Sequence, residues 1–544
     1  TVLSLTLSLA ACGTGGSDTP TTSTAATTAA TDGAPPATSE LINIAGTVPE
    51  GLIIPSDITE SSREVLIRNI FDGLVRVGPT GDLVNEVAES ITTDDAITFT
   101  VKIHSDRVFA NGEKITASSF VDAWNWGAYG PNAQKAASDY ALIKGYDEVH
   151  PNADGAQPTA EKLSGLTVVD DTTFTIELTE PASTFPGHLT DGVFFPLPKA
   201  FFDDPDAFGK LPIGNGPYQL REAIDASDGA YLDVNPAYVG GRTPKNKGLY
   251  FRFYTSMDTT YQDILAGNLD LGDAAGGGLL TAEADFGDRF LTGPGGPTQT
   301  LVFPLYDEFW GSENGLKVRQ AISHAIDRQA IIDTIFNGLA APAKEFTQPG
   351  LPGWSDSIPG VDVTDYDVDL AKKLFEEAGG YPRDTLRLYY NGDGSHKEWI
   401  EAVANQLREN LGINAVASPT VTFAELLEKI RDRELDGPWR ASSIPFSPSL
   451  DDMLSTIYYT KEGATTQGGY ASAEYNGLLN EGRSQTSLDE ANKYFNQAQE
   501  VLFKDLPAVP LWYTYQATIH SDRITGVAVT PIAGTPYYLY EKIG

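Results

Sequence analysis

Apolar and polar residues alternate along two short stretches in the first third of the chain. The apolar positions are Ile97, Phe99, Val101 and Ile103 in the first stretch, and Phe174, Ile176 and Leu178 in the second. A period of two is typical of strands that bury one face. Residues 117–126, between the two stretches, predict a helix. We therefore predict a separate lobe over residues 80–188.

Further along the chain, predicted strands alternate with predicted helices. Apolar residues at helical spacing over 318–336 predict one helix, which ends at an Asn-Gly pair. A strand at 386–388, a helix over 399–411 and a strand at 413–416 predict a β-α-β unit. Final strands are predicted at 509–513 and 524–529. This order predicts an α/β fold with a mixed sheet covered by helices.

The N-terminal apolar run, residues 2–11, is too short to span a bilayer and predicts the end of a secretory signal. Residues 9–12 are Leu-Ala-Ala-Cys, which resembles a bacterial lipobox, where the cysteine is lipidated. Cys12 is the only cysteine of the chain, so we expect an anchor and not half of a disulfide. The alternative is a signal remnant with a chance cysteine. Residues 13–40 lack large apolar side chains and predict a disordered tether.

Charge narrows the range of partners. The chain has 74 acidic and 37 basic residues, for a formal net charge of −37. Such a surface repels nucleic acid and anionic lipid. About 500 residues follow the tether, which exceeds one compact core, so two or three lobes are expected.

Catalytic and metal-binding motifs are missing from the sequence. The six histidines are scattered without an HExxH pattern, and no GxSxG sequence occurs. The glycine-rich stretches at 276–278 and 293–296 lack phosphate-binding spacing and are predicted to be loops. Adjacent aspartates are predicted to form turns. We expect no enzyme activity, no metal and no cofactor.

Eight short motifs, taken together, resemble one family. They occur in the family's order over about residues 41–530, at 86–101, 109–117, 212–218, 235–238, 266–270, 318–328, 378–381 and 505–507. Their phrases, such as Phe-Ala-Asn-Gly-Glu-Lys-Ile-Thr-Ala and Ile-Gly-Asn-Gly-Pro-Tyr, resemble those of extracytoplasmic solute-binding proteins of ABC importers, family 5, which includes oligopeptide- and dipeptide-binding proteins. Most of these motif residues are expected to serve the scaffold, with Arg319 and Asp327 pairing on or near one helix.

The resemblance implies a periplasmic-binding-protein-like fold with two lobes, a hinge and three domains. A large domain III and an extra domain II distinguish this class, and the lobes close over a ligand. The expected segments are a signal remnant with the lipobox cysteine at 1–12, a tether at 13–40, domain I at 41–79, 189–275 and 515–544, domain II at 80–188, and domain III at 276–514.

The same resemblance points to a ligand-binding stretch after Arg440. In peptide-binding relatives an aspartate here neutralises the α-ammonium group of the ligand. By alignment Ser443 stands where tryptophan is usual, and Phe446 stands where that aspartate is usual. Either Asp451 or Asp452 substitutes from a shifted position, or the ligand has no free α-amino group. The residues of this stretch expected to bind ligand are Ser442, Ser443, Ile444, Phe446, Asp451 and Asp452.

Two further stretches are expected to line the ligand cleft. Glu50, Gly51 and Leu52 lie where domain I of relatives lines it. The domain II stretch that resembles the ligand-facing loop contains Tyr129, Asn132 and Tyr140. The alternative is that Tyr140 belongs to the core and Tyr129 to the surface.

These features predict a monomeric, lipid-anchored receptor on the outer face of the cell membrane or in the periplasm. It is expected to capture a peptide-like solute and deliver it to an ABC permease and ATPase complex. Alternatives are a non-peptide solute, such as an N-blocked peptide, a haem or metal chelate, an opine-like compound or a sugar compound. An anchored extracellular hydrolase and a sensing or adhesion protein are further alternatives.

Overall fold

A computed structural model describes residues 40–151, 156–274, 276–445, 447–460, 464–530 and 541–542. These residues belong to one unit, Ala37–Gly544. Cys12, residues 13–39 of the expected tether and Phe446 lie outside the described residues.

The first half of the chain contains short strands and helices. Its strands are β1 (Ile42–Gly46), β2 (Val75–Val77), β3 (Leu83–Asn85), β4 (Ala88–Thr93), β5 (Thr98–Ile103), β6 (Leu166–Asp170), β7 (Thr173–Glu177), β8 (Tyr218–Leu220), β9 (Ala230–Val234), β10 (Gly248–Phe253) and β11 (Leu271–Asp273). Its helices are α1 (Ser61–Ile70), α2 (Ala117–Ala128), α3 (Tyr146–Val149), α4 (Phe185–His188), α5 (Lys199–Asp203), α6 (Pro205–Lys210), α7 (Met257–Leu265) and α8 (Ala282–Phe286).

The second half has longer elements. Its strands are β12 (Phe290–Val302), β13 (Ala340–Pro342), β14 (Leu386–Asn391), β15 (Ala415–Thr420), β16 (Trp439–Ser443), β17 (Ala508–His520), β18 (Ile524–Thr525) and β19 (Glu541–Lys542). Its helices are α9 (Glu313–His324), α10 (Arg328–Ile335), α11 (Val368–Glu377), α12 (Lys397–Leu411), α13 (Phe423–Arg431), α14 (Leu450–Tyr458), α15 (Ala473–Arg483) and α16 (Leu488–Asp505).

Most of the strands join one large mixed sheet. Its order is β15-β14-β16-β12-β17-β11-β1-β10-β9-β8, with β13 paired to β17. β14 and β15 are parallel and connected by α12, so the predicted β-α-β unit and the α/β fold class are confirmed. A separate antiparallel sheet, β4-β5-β7-β6, contains the two predicted alternating strands.

The buried apolar side chains divide into two large cores. One contains residues between 301 and 512, together with Val77. The other contains residues between 42 and 271, together with Ile524, and includes the small antiparallel sheet. We call the half of the molecule around the 42–271 core the first lobe and the half around the 301–512 core the second lobe.

Two long strands run from one lobe to the other. β12 and β17 pair antiparallel along their length, from Phe290 opposite Ile519 to Val302 opposite Ala508. At one end β17 also pairs with β11 of the first lobe, while its other end belongs to the core of the second lobe. The ladder shifts register between Pro294 and Thr298. This crossing, which we call the strand hinge, is the place where the backbone can bend between the lobes.

Three expectations for the middle of the chain are wrong. The stretch 293–296 is part of β12 and not a loop. The single helix expected over 318–336 is two helices, α9 and α10, because Asp327 caps α10 by accepting a hydrogen bond from the Ala330 amide at 3.0 Å. Arg319 does not pair with Asp327. It donates to the carbonyl oxygens of Leu506 and Asp505 at 2.9 and 2.8 Å.

The other glycine-rich stretch also differs from the expected loop, since Gly276–Leu280 forms a 3-10 turn. Of the two final strands, the first is longer than expected, as β17. The second is shorter, as β18. Within the described residues, no helix combines the length and the apolar character needed to cross a membrane.

Candidate ligand-binding cleft

The two lobes touch directly at one edge. The backbone amide of Ser183, in the first lobe, donates to the Arg483 carbonyl oxygen at 2.8 Å. The Ser183 hydroxyl donates to the Gly482 carbonyl oxygen at 2.9 Å. Gly187 packs against Ser447 and Pro448 of the second lobe. We call this contact the lobe seam.

A cavity of about 280 Å³ lies at the lobe seam. Both lobes supply its walls, which are formed by Leu83, Ile91, Thr92, Thr93, Phe99, Ser183, Thr184, Pro186, Gly187, Pro448, Ser449, Thr486 and Leu488. Its small volume suits one side chain or a few water molecules better than a whole ligand.

A larger cavity of about 490 Å³ lies at the strand hinge, and we call it the hinge cavity. β17 crosses it, β11 and the 3-10 turn form one wall, and the end of α10 forms the other. Its lining residues are Asp273, Ala274, Leu279, Leu280, Ile335, Phe336, Asn337, Leu339, Thr514, Tyr515, Gln516 and Ala517. The volume is in the range of small-molecule sites, about 300–1,000 Å³.

The walls of the hinge cavity belong to different cores. Phe336 packs on Trp512 of the second lobe, with ring centroids 5.2 Å apart. Ala274 belongs to a small separate cluster with Tyr261 and Phe286. Leu280, at the rim, leaves 72% of its surface exposed. Because the walls are carried by different packing units, the width of the cavity depends on the angle between them.

Asp273 supplies the only charge among the twelve described residues that line the hinge cavity. Its carboxylate accepts a hydrogen bond from the Thr518 hydroxyl at 3.3 Å, across the β11–β17 ladder. Part of its surface is exposed, yet desolvation by the surrounding protein raises the pKa of Asp273, and the Thr518 hydrogen bond opposes that rise. Asp273 forms no ion pair with any residue that the structure describes.

Asp451, one of the expected counter-charges, already has a cationic partner. Nε and Nη2 of Arg483 donate to its two carboxylate oxygens at 2.9 and 3.0 Å. Burial alone would lower the pKa of Arg483, but Asp451 raises it above its usual range. The neighbouring Asp452 accepts a hydrogen bond from the Ser447 amide at 3.3 Å. In this structure the charge of Asp451 is therefore compensated inside the second lobe, by a residue of the lobe seam.

The expected residues before Phe446 lie at the end of β16. Ser443 stands opposite Thr298, and Ser442 opposite Gln299. Ser442 is exposed, and its hydroxyl accepts a hydrogen bond from Arg440 at 3.2 Å. Ile444 follows the strand and is half-buried. These side chains are at the edge of the second lobe nearest to β12.

The expected residues of the first lobe lie in two places. The amide of Glu50 donates to Glu60 at 3.1 Å, and the Leu52 carbonyl oxygen accepts from Arg63 at 3.2 Å. Gly51, between them, is exposed with φ of 100°. These contacts attach the segment to the start of α1.

The residues expected to bind ligand from domain II are half-buried or belong to the core. Tyr129 is half-buried, and the Asn132 side chain donates to the Trp126 carbonyl oxygen at 2.8 Å. Tyr140 is fully buried, and its hydroxyl donates to the Val193 carbonyl oxygen at 2.7 Å. In this conformation Tyr140 packs in the core and offers no surface to a ligand.

Arg440 is a candidate binding residue that sequence reasoning did not single out. Its guanidinium is buried and donates to the Asn391 side chain from Nε and Nη2, at 2.9 and 2.7 Å. The guanidinium also lies over the Phe423 ring, 5.0 Å from the centroid. Burial, with Arg440 adding to it, lowers the pKa of His396 to about 4. Within the described chain Arg440 has no carboxylate within 4 Å, and the carboxylate that attracts its charge is that of Asp393, which accepts a hydrogen bond from the same Asn391 side chain at 2.6 Å.

Two lobes joined by continuous strands, with a cavity at the joint, define a hinged binding protein. The family model for bacterial extracellular solute-binding proteins, family 5 (middle region), matches residues 82–465. The chain belongs to this family, as the motifs predicted. Members are the substrate-binding, non-enzymatic components of ABC transporters and work outside the cytoplasm. This protein is therefore a solute-binding protein and not a hydrolase.

Several named relatives cover nearly the whole chain. The oligopeptide-binding protein OppA of Bacillus subtilis (strain 168) is 23% identical over 501 residues, which is 87% of each chain. The probable deoxycholate-binding periplasmic protein YgiS of Escherichia coli (strain K12) is 23% identical over 519 residues, 90% of this chain and 91% of YgiS.

Solved structures share the fold. The unliganded open form of the periplasmic murein tripeptide binding protein MppA has a TM-score of 0.83 and 21% identity, covering 93% of this chain and 97% of MppA. Haemophilus influenzae OppA in complex with RPPGFSPFR has a TM-score of 0.64 and 20% identity, covering 94% of this chain and 100% of OppA.

Proposed function

We propose that this protein captures a peptide-like solute between its lobes and delivers it to an ABC permease. The observation that carries the proposal is the hinge cavity, about 490 Å³ in volume, with walls that belong to different packing units. A solute that touches both walls stabilises one lobe angle, and a permease can recognise that angle.

Arg440 supports a peptide-like ligand. Its guanidinium is buried, and among the described residues only the more distant Asp393 carboxylate attracts its charge, so an anion that reached it would stabilise it further. A peptide offers its terminal carboxylate, which matches the planar guanidinium. OppA and the dipeptide-binding protein DppE, both of Bacillus subtilis, are relatives whose names specify peptides.

The name of YgiS keeps a non-peptide solute open as the second candidate. Deoxycholate, like a peptide, carries one carboxylate on a largely apolar body. The hinge cavity has apolar walls at Leu279, Phe336 and Leu339, which suit either ligand.

We further propose that the segments expected from the motifs are the domains, and that the protein is tethered through lipid on Cys12. The protein would then act as a monomer on the outer face of the cell membrane, with residues 13–40 as its tether. Replacing Cys12 with alanine should release the full chain from the membrane fraction. A chain that stays in the membrane fraction after this change would contradict the anchor.

The first test is native mass spectrometry of the protein purified without denaturation, followed by denaturing release of bound molecules. A ladder of co-purified peptides would support peptide capture. A single non-peptide mass would identify that solute, and not a peptide, as the ligand. If the protein carries no ligand, titration calorimetry with pooled tripeptides shows whether it binds peptides. The absence of heat with every pool would overturn peptide binding. Protein unfolded, dialysed and refolded provides the ligand-free control.

A further inference from the structure

The ammonium group of a peptide needs a counter-charge that the expected positions do not provide. Phe446 stands where relatives are expected to have an aspartate. Asp451 is neutralised by Arg483 at 2.9 Å. Asp452, half-buried, is engaged with the Ser447 amide. An ammonium buried without a partner would weaken binding strongly.

Unlike residues 446, 451 and 452, Asp273 has a carboxylate that a ligand can reach and that forms no ion pair with a described residue. It ends β11 at the wall of the hinge cavity and retains contact with solvent, so a ligand entering the cavity can reach its carboxylate. Its carboxylate accepts a hydrogen bond from the neutral Thr518 hydroxyl. Among the described residues there is no cation within 4 Å of it, so its charge is not compensated inside the protein.

The apolar residues around Asp273 indicate which chemical group of the ligand lies next to its cation. Leu279 and Leu280 follow it along the chain, and Ile335 and Phe336 face it from the end of α10 across the same cavity. A carboxylate in such partly apolar surroundings gains more from an organic cation than from a hydrated metal ion, because the organic body also covers the apolar walls.

We propose that Asp273 is the counter-charge for a cationic group of the solute, and that the hinge cavity selects solutes with an ammonium or guanidinium group next to an apolar body. This inference rests on the proposed function of the same cavity in solute capture. It identifies the N-terminal residue of a peptide, with a free amino group and an apolar side chain, as the part held at the hinge.

The proposal assigns the two ends of the solute to different sites. Asp273 is at the hinge cavity, whereas Arg440 lies on β16 opposite Leu301 of β12 and donates to Asn391 of β14. A zwitterionic peptide would thus be oriented with its amino end toward the hinge and its carboxylate toward Arg440.

The test compares two ligands that differ only in the cation, Leu-Leu-Ala and N-acetyl-Leu-Leu-Ala, by titration calorimetry. Wild-type protein should bind the free amine about 10- to 100-fold more tightly, as expected for a charged hydrogen bond. Asp273→Asn should bind both ligands within about threefold of each other. Asp333→Asn is the matched control. Asp333 is an exposed carboxylate on α10, the helix whose end forms a wall of the hinge cavity, but its side chain is not part of the cavity lining.

The outcomes separate this inference from the proposed function. If wild-type protein binds both peptides equally, or if Asp273→Asn keeps the preference, peptide capture stands and the role of Asp273 is overturned. If neither peptide binds, the proposal that the protein captures such tripeptides fails. The role of Asp273 is then tested separately, by comparing the binding of hexylamine with that of 1-hexanol, which has the same apolar chain without the cation. Hexylamine binding that Asp273→Asn abolishes would support the role of Asp273, and no binding would overturn it. Circular dichroism melts of each variant exclude misfolding.

Discussion

Arg483 connects the interior of one lobe to the surface of the other. Its guanidinium forms a bidentate ion pair with Asp451 at 2.9 and 3.0 Å, while its own carbonyl oxygen accepts the Ser183 amide across the lobe seam at 2.8 Å. The guanidinium also lies over the Tyr459 ring, 4.4 Å from the centroid. The ion pair therefore fixes the backbone on which the first lobe rests.

Replacing Asp451 with asparagine should destabilise the protein by about 3 kcal/mol, because it leaves the Arg483 charge poorly paired in a mostly buried site. Urea unfolding followed by tryptophan fluorescence measures this change. The exposed pair Lys493–Glu490 is the control, and Lys493→Met should cost less than about 0.5 kcal/mol. A loss below about 1 kcal/mol in Asp451→Asn would contradict the structural role.

Ser183→Ala should loosen the lobe seam without unfolding either lobe. The variant loses the hydroxyl bond to Gly482, worth about 1 kcal/mol, which corresponds to a shift of about fivefold toward the separated lobes. Small-angle X-ray scattering of ligand-free protein should show a larger radius of gyration. Ser484→Ala, one residue beyond Arg483 and bonded only within its own helix segment, should leave the radius unchanged.

Glu345 should make stability fall as pH rises. Burial raises the pKa of Glu345 from its ordinary 4.5 to about 7, despite hydrogen bonds from the Ser355 amide and Gln499. Since the folded-state pKa is the higher one, this stabilising contribution is complete below about pH 4.5 and is lost by about pH 7, a change of about 3 kcal/mol.

The Glu345→Gln variant isolates this contribution, because its side chain does not titrate. Unfolding free energies of both proteins between pH 4 and 8 should diverge, with the wild type losing more stability across that interval. Parallel curves would show that Glu345 titrates alike in the folded and unfolded chains. Other raised carboxyl groups, such as Glu64, cancel in the difference.

Gly295→Ala should damage the strand hinge. Gly295 has φ of +131°, and an added Cβ would come within 2.7 Å of the Thr530 carbonyl oxygen and the Gln516 side chain. We expect a loss of about 1–3 kcal/mol and slower ligand association in stopped-flow fluorescence. Gly477→Ala, in an exposed turn of α15 with open space around the new Cβ, should instead be neutral or slightly stabilising. If the two variants had the same stability and the same rate of ligand association, the interpretation of Gly295 as part of a hinge would be wrong.

Arg440→Met should weaken binding of peptides with a free carboxylate by at least about tenfold and leave the corresponding C-terminal amides nearly unaffected. Calorimetry with one acid and amide pair measures the difference. Arg431→Met, which removes an exposed arginine from the neighbouring α13, is the control. If the amide loses as much affinity as the acid, Arg440 has a structural role through Asn391.

Local patterns predicted the elements better than the contacts between them. The alternation at Phe99 and Val101 and the β-α-β unit depend on nearby residues, and the structure has both. The break between α9 and α10 was missed because apolar spacing continues through it, whereas the decisive feature is the cap by Asp327. The pairing of Asp451 with Arg483, 32 residues apart, has no signal in a single sequence.

A hinge was expected, but the part of it at 293–296 was wrongly predicted to be a loop, for a physical reason. Glycine and proline at 293–296 are typical of loops, yet β17 forms a ladder with this stretch and makes it a strand. The candidate site shows the same limit. Asp273 and Phe336 are 63 positions apart and meet only because β17 lies between their elements.

The position of β17 in the large sheet determines when the sheet can be completed. The strand lies between β12 and β11, yet it begins only at residue 508. In sequence order β17 follows every other strand of this sheet, so the half that contains β11 and the half that contains β12 can be joined only after β17 has been made. Completion of the large sheet is therefore a late event in folding, and it depends on this single strand.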